Sequence, residues 1–120
     1  MERNAYVSGV LGEVRAEQFL CEKGYEILER NVKSPGAEID LVAEDGGVIV
    51  FVEVKARTRS GVSGREAVTA AKQKRICKGA MYYLMRHGLM NRQARFDVIE
   101  IQGGRITHIV NAFPYQGPAF

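Results

Sequence analysis

Residues 48–54 read VIVFVEV, a nearly unbroken run of β-branched and aromatic side chains. Such a run fits a central strand with both faces covered. A chain built around it must form a sheet and pack helices against that sheet. The run carries one charge, Glu53, followed two positions later by Lys55. A carboxylate in the most apolar strand of a protein is costly unless something neutralises it. What stands next to Glu53 therefore decides what this chain can be.

The neighbouring elements follow from local pattern. Residues 5–23 read as a helix with Val7, Val10, Leu11 and Val14 on one side and the small residues Gly9, Gly12 and Ala16 on another. Glycine costs a helix about 1 kcal/mol relative to alanine, so the small-residue side is expected to lie close against the sheet. Gly24 supplies the stop. Residues 25–32 and 38–43 read as strands, and Glu44-Asp45-Gly46-Gly47 is a hairpin turn into 48–54. Ser63 with Glu66 resembles a capping box for a second helix that runs to about His87 and stops at Gly88. Residues 96–101 and 106–110, around Gly103-Gly104, close the chain as a strand pair. The order α-β-β-β-α-β-β predicts an α/β fold, with helices on a central mixed sheet. No linker, repeat or low-complexity segment divides the chain, so residues 1–120 read as one domain.

The hairpin places carboxylates together. Glu38 and Asp40 share one face of their strand, and Glu53 and Lys55 share one face of theirs. Partners across the Gly46-Gly47 turn pair Asp40 with Glu53 and Glu38 with Lys55. Cross-strand Cβ atoms lie ~4.5–5.5 Å apart, and two carboxylates at that distance repel unless a cation or proton intervenes. Lys55 can neutralise only one of them. Mg²⁺ or Mn²⁺ bound by Asp40 and Glu53, with the Val54 carbonyl as a further oxygen, would account for the cluster. Lys55 would then sit beside a metal-bound water, lowering its pKa or orienting it for in-line attack on phosphorus. The same residues also fit a buried Asp–Lys–Glu salt-bridge network without metal. Glu13 lies at the edge of the small-residue side of the first helix and could reach the site, or be an ordinary solvated glutamate.

Charge is distributed unevenly. Residues 1–54 hold 5 basic and 11 acidic side chains, whereas residues 55–95 hold 11 basic and one acidic. An acidic metal-type cluster beside a basic half suits a phosphodiester substrate, although exposed Lys and Arg also serve solubility. Lys74, Arg75, Lys78 and Arg86 fall on an outward arc of the second helix, while Lys72 falls among its apolar positions and could meet the acidic cluster or a phosphate. Arg57, Arg59 and Arg65 would extend a positive rim. His87 and His108 are isolated in sequence, which argues against a His-based zinc site. Tyr82 and Tyr83 are expected to fill the core. Cys21 and Cys77 form no CxxC pair and read as buried free thiols in a reducing cytosol. No apolar run approaches the ~20 residues of a membrane helix, and the first residues lack a signal-peptide layout, so a cytoplasmic protein is expected.

Taken together, Asp40, Glu53-Val54-Lys55 and the helix glutamate Glu13 resemble the PD-(D/E)xK nuclease superfamily. A closer likeness is to the YraN-like family of small bacterial proteins. It is carried by Gly9-x-x-Gly12-Glu13-x-x-Ala16, Glu38-Ile39-Asp40-Leu41, Phe51-Val52-Glu53-Val54-Lys55 with Arg57, Lys72-Gln73, Arg95-Phe96-Asp97-Val98 and Asn111-Ala112-Phe113. The resemblance implies a restriction-endonuclease-like three-layer fold. It also implies Asp40 and Glu53 as metal ligands, Lys55 as the catalytic lysine, and Glu13 as the helix acid seen in archaeal Holliday-junction resolvases. The superfamily's proline before the first acid is absent, with Ile39 in its place. Ala37 and Ser63 also depart from the closer family, where glycine and an aromatic are usual.

The expected function is divalent-metal-dependent hydrolysis of DNA, with branched DNA in repair or recombination as a natural substrate and a homodimer as a fitting assembly. Arg57, Arg59, Arg65, Lys72, Arg75 and Lys78 would hold the backbone. The alternative is a nucleic-acid-binding or assembly module that keeps the fold without catalysis, and a weaker one is a structural ion-pair network with a protein–protein role.

Overall fold

The computed structural model describes residues 5–57 and 68–116. Helix α1 (Ala5–Glu22) leads into strands β1 (Glu26–Ser34), β2 (Ala37–Asp45) and β3 (Val48–Arg57). Helix α2 (Ala70–Arg86) then precedes β4 (Ala94–Gln102) and β5 (Arg105–Phe113). The five strands form one sheet in the order β1-β2-β3-β4-β5. Its β1–β2, β2–β3 and β4–β5 pairs are antiparallel, and β3–β4 is parallel. A parallel pair cannot be joined by a hairpin, and α2 lies in the crossover between β3 and β4. The sheet is mixed and the element order is the expected one.

Two apolar clusters make the fold three-layered. On the α2 side, Ile39, Val42, Ile49, Phe51 and Val98 pack with Ile76, Ala80 and Tyr83. On the α1 side, Leu41, Val50, Val52 and Ile99 pack with Ala16 and Leu20. The alternating residues of β3 thus feed both clusters, as its sequence requires. Gly46 (φ 54°) and Gly47 (φ 92°) form the two-residue β2–β3 turn, where both positions need the left-handed backbone that glycine accepts.

The small-residue side of α1 does face the sheet. Ala16 is fully buried, and a Cβ built on Gly12 would stand 3.4 Å from the Ala56 Cβ. Leu11 and Val14 point outward, because the helix lies too near β3 for larger side chains. The side chains of Val7, Gly9 and Val10 lie outside the described residues.

Three expectations change. The Ser63–Glu66 capping box lies outside the described residues, and among those described α2 begins only at Ala70. Thr69 is extended (φ −62°, ψ 161°), and its hydroxyl accepts from the Lys72 amide at 3.2 Å, as an N-cap does. Tyr83 is buried but Tyr82 is 46% exposed, since adjacent helical residues point about 100° apart. Cys77 is buried while Cys21 is exposed, and both are free thiols.

His108 is isolated in sequence but not in space. Its Nε2 lies 2.7 Å from Oδ2 of the fully buried Asp97, and its Nδ1 lies 2.7 Å from the Lys23 Nζ. A carboxylate partner fixes the proton on Nε2, leaving Nδ1 to accept from lysine. Arg95 Nε and the Asn111 amide also donate to Asp97, at 3.0 and 2.9 Å. Burial alone would raise the Asp97 pKa, but these donors outweigh it and hold the carboxyl below its ordinary value. Asp97 thereby stitches β4, the β5 irregularity at Asn111 (φ 55°) and the end of α1 together. No described helix is long and apolar enough to cross a membrane.

Candidate functional site

The site forms where β2 and β3 part. Their paired register runs from Asp45↔Val48 to Leu41↔Val52 and ends there, so the turn sets the expected register but the expected pairs of Asp40 with Glu53 and Glu38 with Lys55 are not part of the ladder. Beyond it the Val54 amide donates to Asp40 Oδ2 at 2.8 Å, so a side chain replaces the backbone acceptor. Strict alternation of β2 also breaks here, because Ile39 packs on the α2 side while Leu41 packs on the α1 side. On β1, Asn31 adopts a positive φ of 51° between the pairs Arg30↔Leu41 and Val32↔Ile39. Because the N–H and C=O of a strand residue point to the same edge, the Val54 carbonyl is directed toward this same opening.

A cavity of about 290 Å³ occupies the fork. Glu13 from α1, Glu38 and Asp40 from β2, Glu53 from β3, and Lys72 and Arg75 from α2 line it. Both helical layers therefore meet at one end of the sheet. Glu38, not expected as a ligand, is a further acid lining the cavity, two residues before Asp40.

The electrostatics are those of crowded acids. Burial, then the Glu53 charge, raise the Asp40 pKa from 3.8 to about 7 against the opposing Val54 hydrogen bond. Glu13 is raised by its burial and by the charges of Glu38 and Glu53. Glu53 is almost buried and takes Lys72 Nζ at 2.8 Å and Lys55 Nζ at 3.6 Å on one oxygen. The two ammonium groups respond oppositely. Burial and the neighbouring Lys72 push Lys55 below the usual lysine range. Burial also opposes the charge on Lys72, but the Glu53 contact outweighs it and raises that pKa.

The donor set fits a hard divalent cation. Among the described residues no three His, Cys, Asp or Glu side chains are gathered into a ready-made cage. Mg²⁺ seldom needs one, since it commonly takes one or two carboxylates and keeps several waters. Asp40 holds the Val54 amide on Oδ2, and its Oδ1, Glu53 and the Val54 carbonyl on the adjoining strand are the oxygens that would hold an ion. The penalty that lifts Asp40 is one that a cation removes. The Lys72 ammonium already partners Glu53, so an ion would have to share or displace it.

The structure thus gathers Glu13, Asp40, Glu53, Lys55, Lys72 and the Val54 backbone at one place, with Arg75 on the cavity rim. Lys78 is exposed on α2 and is not among the residues that line this cavity. Arg57 ends β3, but its side chain, like Arg59 and Arg65, lies outside the described residues. The positive rim expected from those three arginines therefore has no geometry here.

A model of the uncharacterised protein family UPF0102 matches residues 12–101, a span that contains all of these groups. The chain belongs to that family. It is the YraN-like family that the motifs resemble. A UPF0102 protein of Symbiobacterium thermophilum is 50% identical over 112 residues, covering 88% of this chain and 94% of its own. One from Persephonella marina is 41% identical over 110 residues, covering 91% and 95%. One from Geobacter sulfurreducens is 44% identical over 113 residues, covering 89% and 88%. The relatives are matched along nearly their whole length and carry no named activity.

Proposed function

We propose that this UPF0102 protein is a Mg²⁺- or Mn²⁺-dependent nuclease that hydrolyses phosphodiester bonds of DNA, branched DNA in repair or recombination being the substrate its motifs suggest. The observation that carries the reading is the Asp40–Glu53–Lys55 constellation in an open, acid-lined fork, with Lys72 and Arg75 at the same cavity. Asp40, Glu53 and the Val54 carbonyl would hold the ion, with Glu13 as a further acid. A divalent ion bound there supplies Lewis-acid assistance to attack on phosphorus. Lys55, with its pKa depressed, is suited to orienting a water and accepting its proton. Lys72 and Arg75 supply charge toward the phosphate, which positions a substrate without reading its sequence.

The decisive experiment titrates Mn²⁺ calorimetrically into the chelated protein and its Asp40→Asn variant, then assays both on linear and branched DNA. Metal binding and cleavage in the wild type, with both lost in the variant, are expected. An Asp40→Asn protein that cuts at full rate overturns the assignment. A second reading, a nucleic-acid-binding module without catalysis, draws support from the 2.8 Å Lys72–Glu53 ion pair, which satisfies Glu53 without metal. It calls for salt-sensitive DNA binding and no cleavage with any divalent ion.

A further inference from the structure

A second cavity, of about 190 Å³, opens between β1 and the C-terminal half of α2. Lys33, Tyr82, Arg86 and His87 line it, together with Glu29. Tyr83 lies against His87 with the rings tilted 32° and their centroids 4.1 Å apart, and Glu29 faces that imidazole at 3.8 Å. Tyr83 is buried, whereas Tyr82 stands 46% exposed. Arg75, Lys78, Tyr82 and Arg86 follow one another at spacings of three or four residues and are all exposed. Residues so spaced lie on one helical face. This stripe, three cations and one aromatic ring, runs from the rim of the candidate metal site to the second cavity.

Basic charge explains solubility by itself, but it does not explain an exposed tyrosine set among cations at a concavity. That combination matches the demands of single-stranded nucleic acid, in which an unstacked base offers a flat face and the backbone offers negative charge. The spacing fits as well. From Arg75 to Tyr82 and Arg86 the helix rises about 10 to 16 Å, the length of a few nucleotides.

We propose that the Tyr82 cavity is a subsite for one unstacked nucleotide of the strand that flanks the scissile phosphate, with the base on the Tyr82 ring and its phosphate on Arg86 and Lys33. This rests on the nuclease reading and adds to it: the substrate must be single-stranded or frayed a few nucleotides from the cut. Glu29, which also lines the cavity and whose side chain is 45% exposed, stands where it can accept a hydrogen bond from a base amino group.

The test compares wild type, Tyr82→Ala and Tyr82→Phe for binding of a labelled single-stranded oligonucleotide in chelator, and for Mn²⁺-dependent cleavage of the same strand. Tyr82→Ala should weaken binding by about five- to hundredfold, the range that loss of one stacked base gives, while Tyr82→Phe keeps wild-type affinity. A set of oligonucleotides, each with one abasic position, should show one sensitive position in the wild type and none in Tyr82→Ala. Cleavage with a flat abasic scan, or equal binding by Tyr82→Ala, overturns the subsite alone. A wild type that binds strands with one sensitive position but never cuts them keeps the subsite and removes the nuclease reading. Sedimentation in which Tyr82→Ala dissociates a dimer would assign the patch to a second copy of the chain and overturn the proposal.

Discussion

The Val54 amide donates to the Asp40 carboxylate at 2.8 Å, one step beyond the last paired residues of β2 and β3. One side chain therefore ends the backbone ladder and at the same time builds the acidic fork. The bond uses Oδ2, so the carboxylate is held in place through one of its two oxygens. The sheet's irregularity and its chemistry arise from the same residue, and strain on one should be measurable through the other.

Asp40→Asn should stabilise the metal-free protein at alkaline pH. The folded Asp40 pKa of about 7 lies above its ordinary 3.8, so the native state binds this proton more tightly than the unfolded chain does. The resulting stabilisation is complete below about pH 3.8 and is lost as pH rises through about 7. Asparagine keeps an acceptor for Val54 and carries no charge. In chelator at pH 8 the variant should gain about 1–3 kcal/mol by urea denaturation, and near pH 4 the gain should vanish. A variant less stable than wild type at pH 8 would mean that Asp40 is not under electrostatic stress.

Lys72→Met should separate metal binding from substrate binding. Lys72 occupies Glu53 Oε1 at 2.8 Å, as a cation in competition with any metal. Its side chain is 32% exposed, so the contact is worth only about 1 kcal/mol. Calorimetry should then show Mn²⁺ bound about fivefold more tightly in the variant, while DNA affinity falls. Weaker Mn²⁺ binding would instead make Lys72 a support that keeps Glu53 in position for the ion.

Much of this arrangement was legible in the sequence because it rests on short-range rules. The two-glycine turn sets the β2–β3 register as far as Leu41↔Val52, and that carries Asp40 and Glu53 to the same end of the hairpin. Lys72 was identifiable as a cation on an apolar helical face. Other features depended on contacts distant in the chain. His108 reads as a lone histidine until β4 brings Asp97 beside it and the end of α1 brings Lys23. Tyr82 and Tyr83 are equivalent as letters, and only the docking angle of α2 sends one inward. Thr69 is a good N-cap residue that the earlier Ser63–Glu66 pattern overshadowed, because both satisfy the same local rule.

Gly79 should prove intolerant of larger side chains. A Cβ there would stand 3.1 Å from both the Ala37 Cβ and the Ser34 Oγ. The serine can rotate away, but the Ala37 Cβ is fixed to β2. Alanine gains roughly 1 kcal/mol of helix propensity, yet Gly79→Ala should still lose about 1 kcal/mol net, and Gly79→Val about 3 kcal/mol. Ala37 also lines the acid-lined cavity, so Mn²⁺ affinity should fall with stability. Urea denaturation that shows Gly79→Ala more stable than wild type would mean that α2 can shift away from β2 without penalty.

Asp97→Ala should destabilise the fold strongly and leave the metal site's chemistry intact. The carboxylate is fully buried and takes His108, Arg95 and the Asn111 amide. Its removal leaves the buried His108 imidazole without that partner and Arg95 with only Asp45 and the Tyr25 hydroxyl, a loss of about 3–5 kcal/mol. The Asp97 pKa lies below its ordinary 3.8, so its contribution is present above that value and is lost as pH falls through the lower folded value. Wild type and variant should therefore converge in stability only under strongly acidic conditions. The network packs against Phe19 and Tyr25 through the His108 ring, in the α1 layer and apart from the residues of the fork. Folded Asp97→Ala protein at low temperature should consequently bind Mn²⁺ as wild type does, whereas a parallel loss of metal binding would show that the Asp97 network and the acidic fork are coupled through β3.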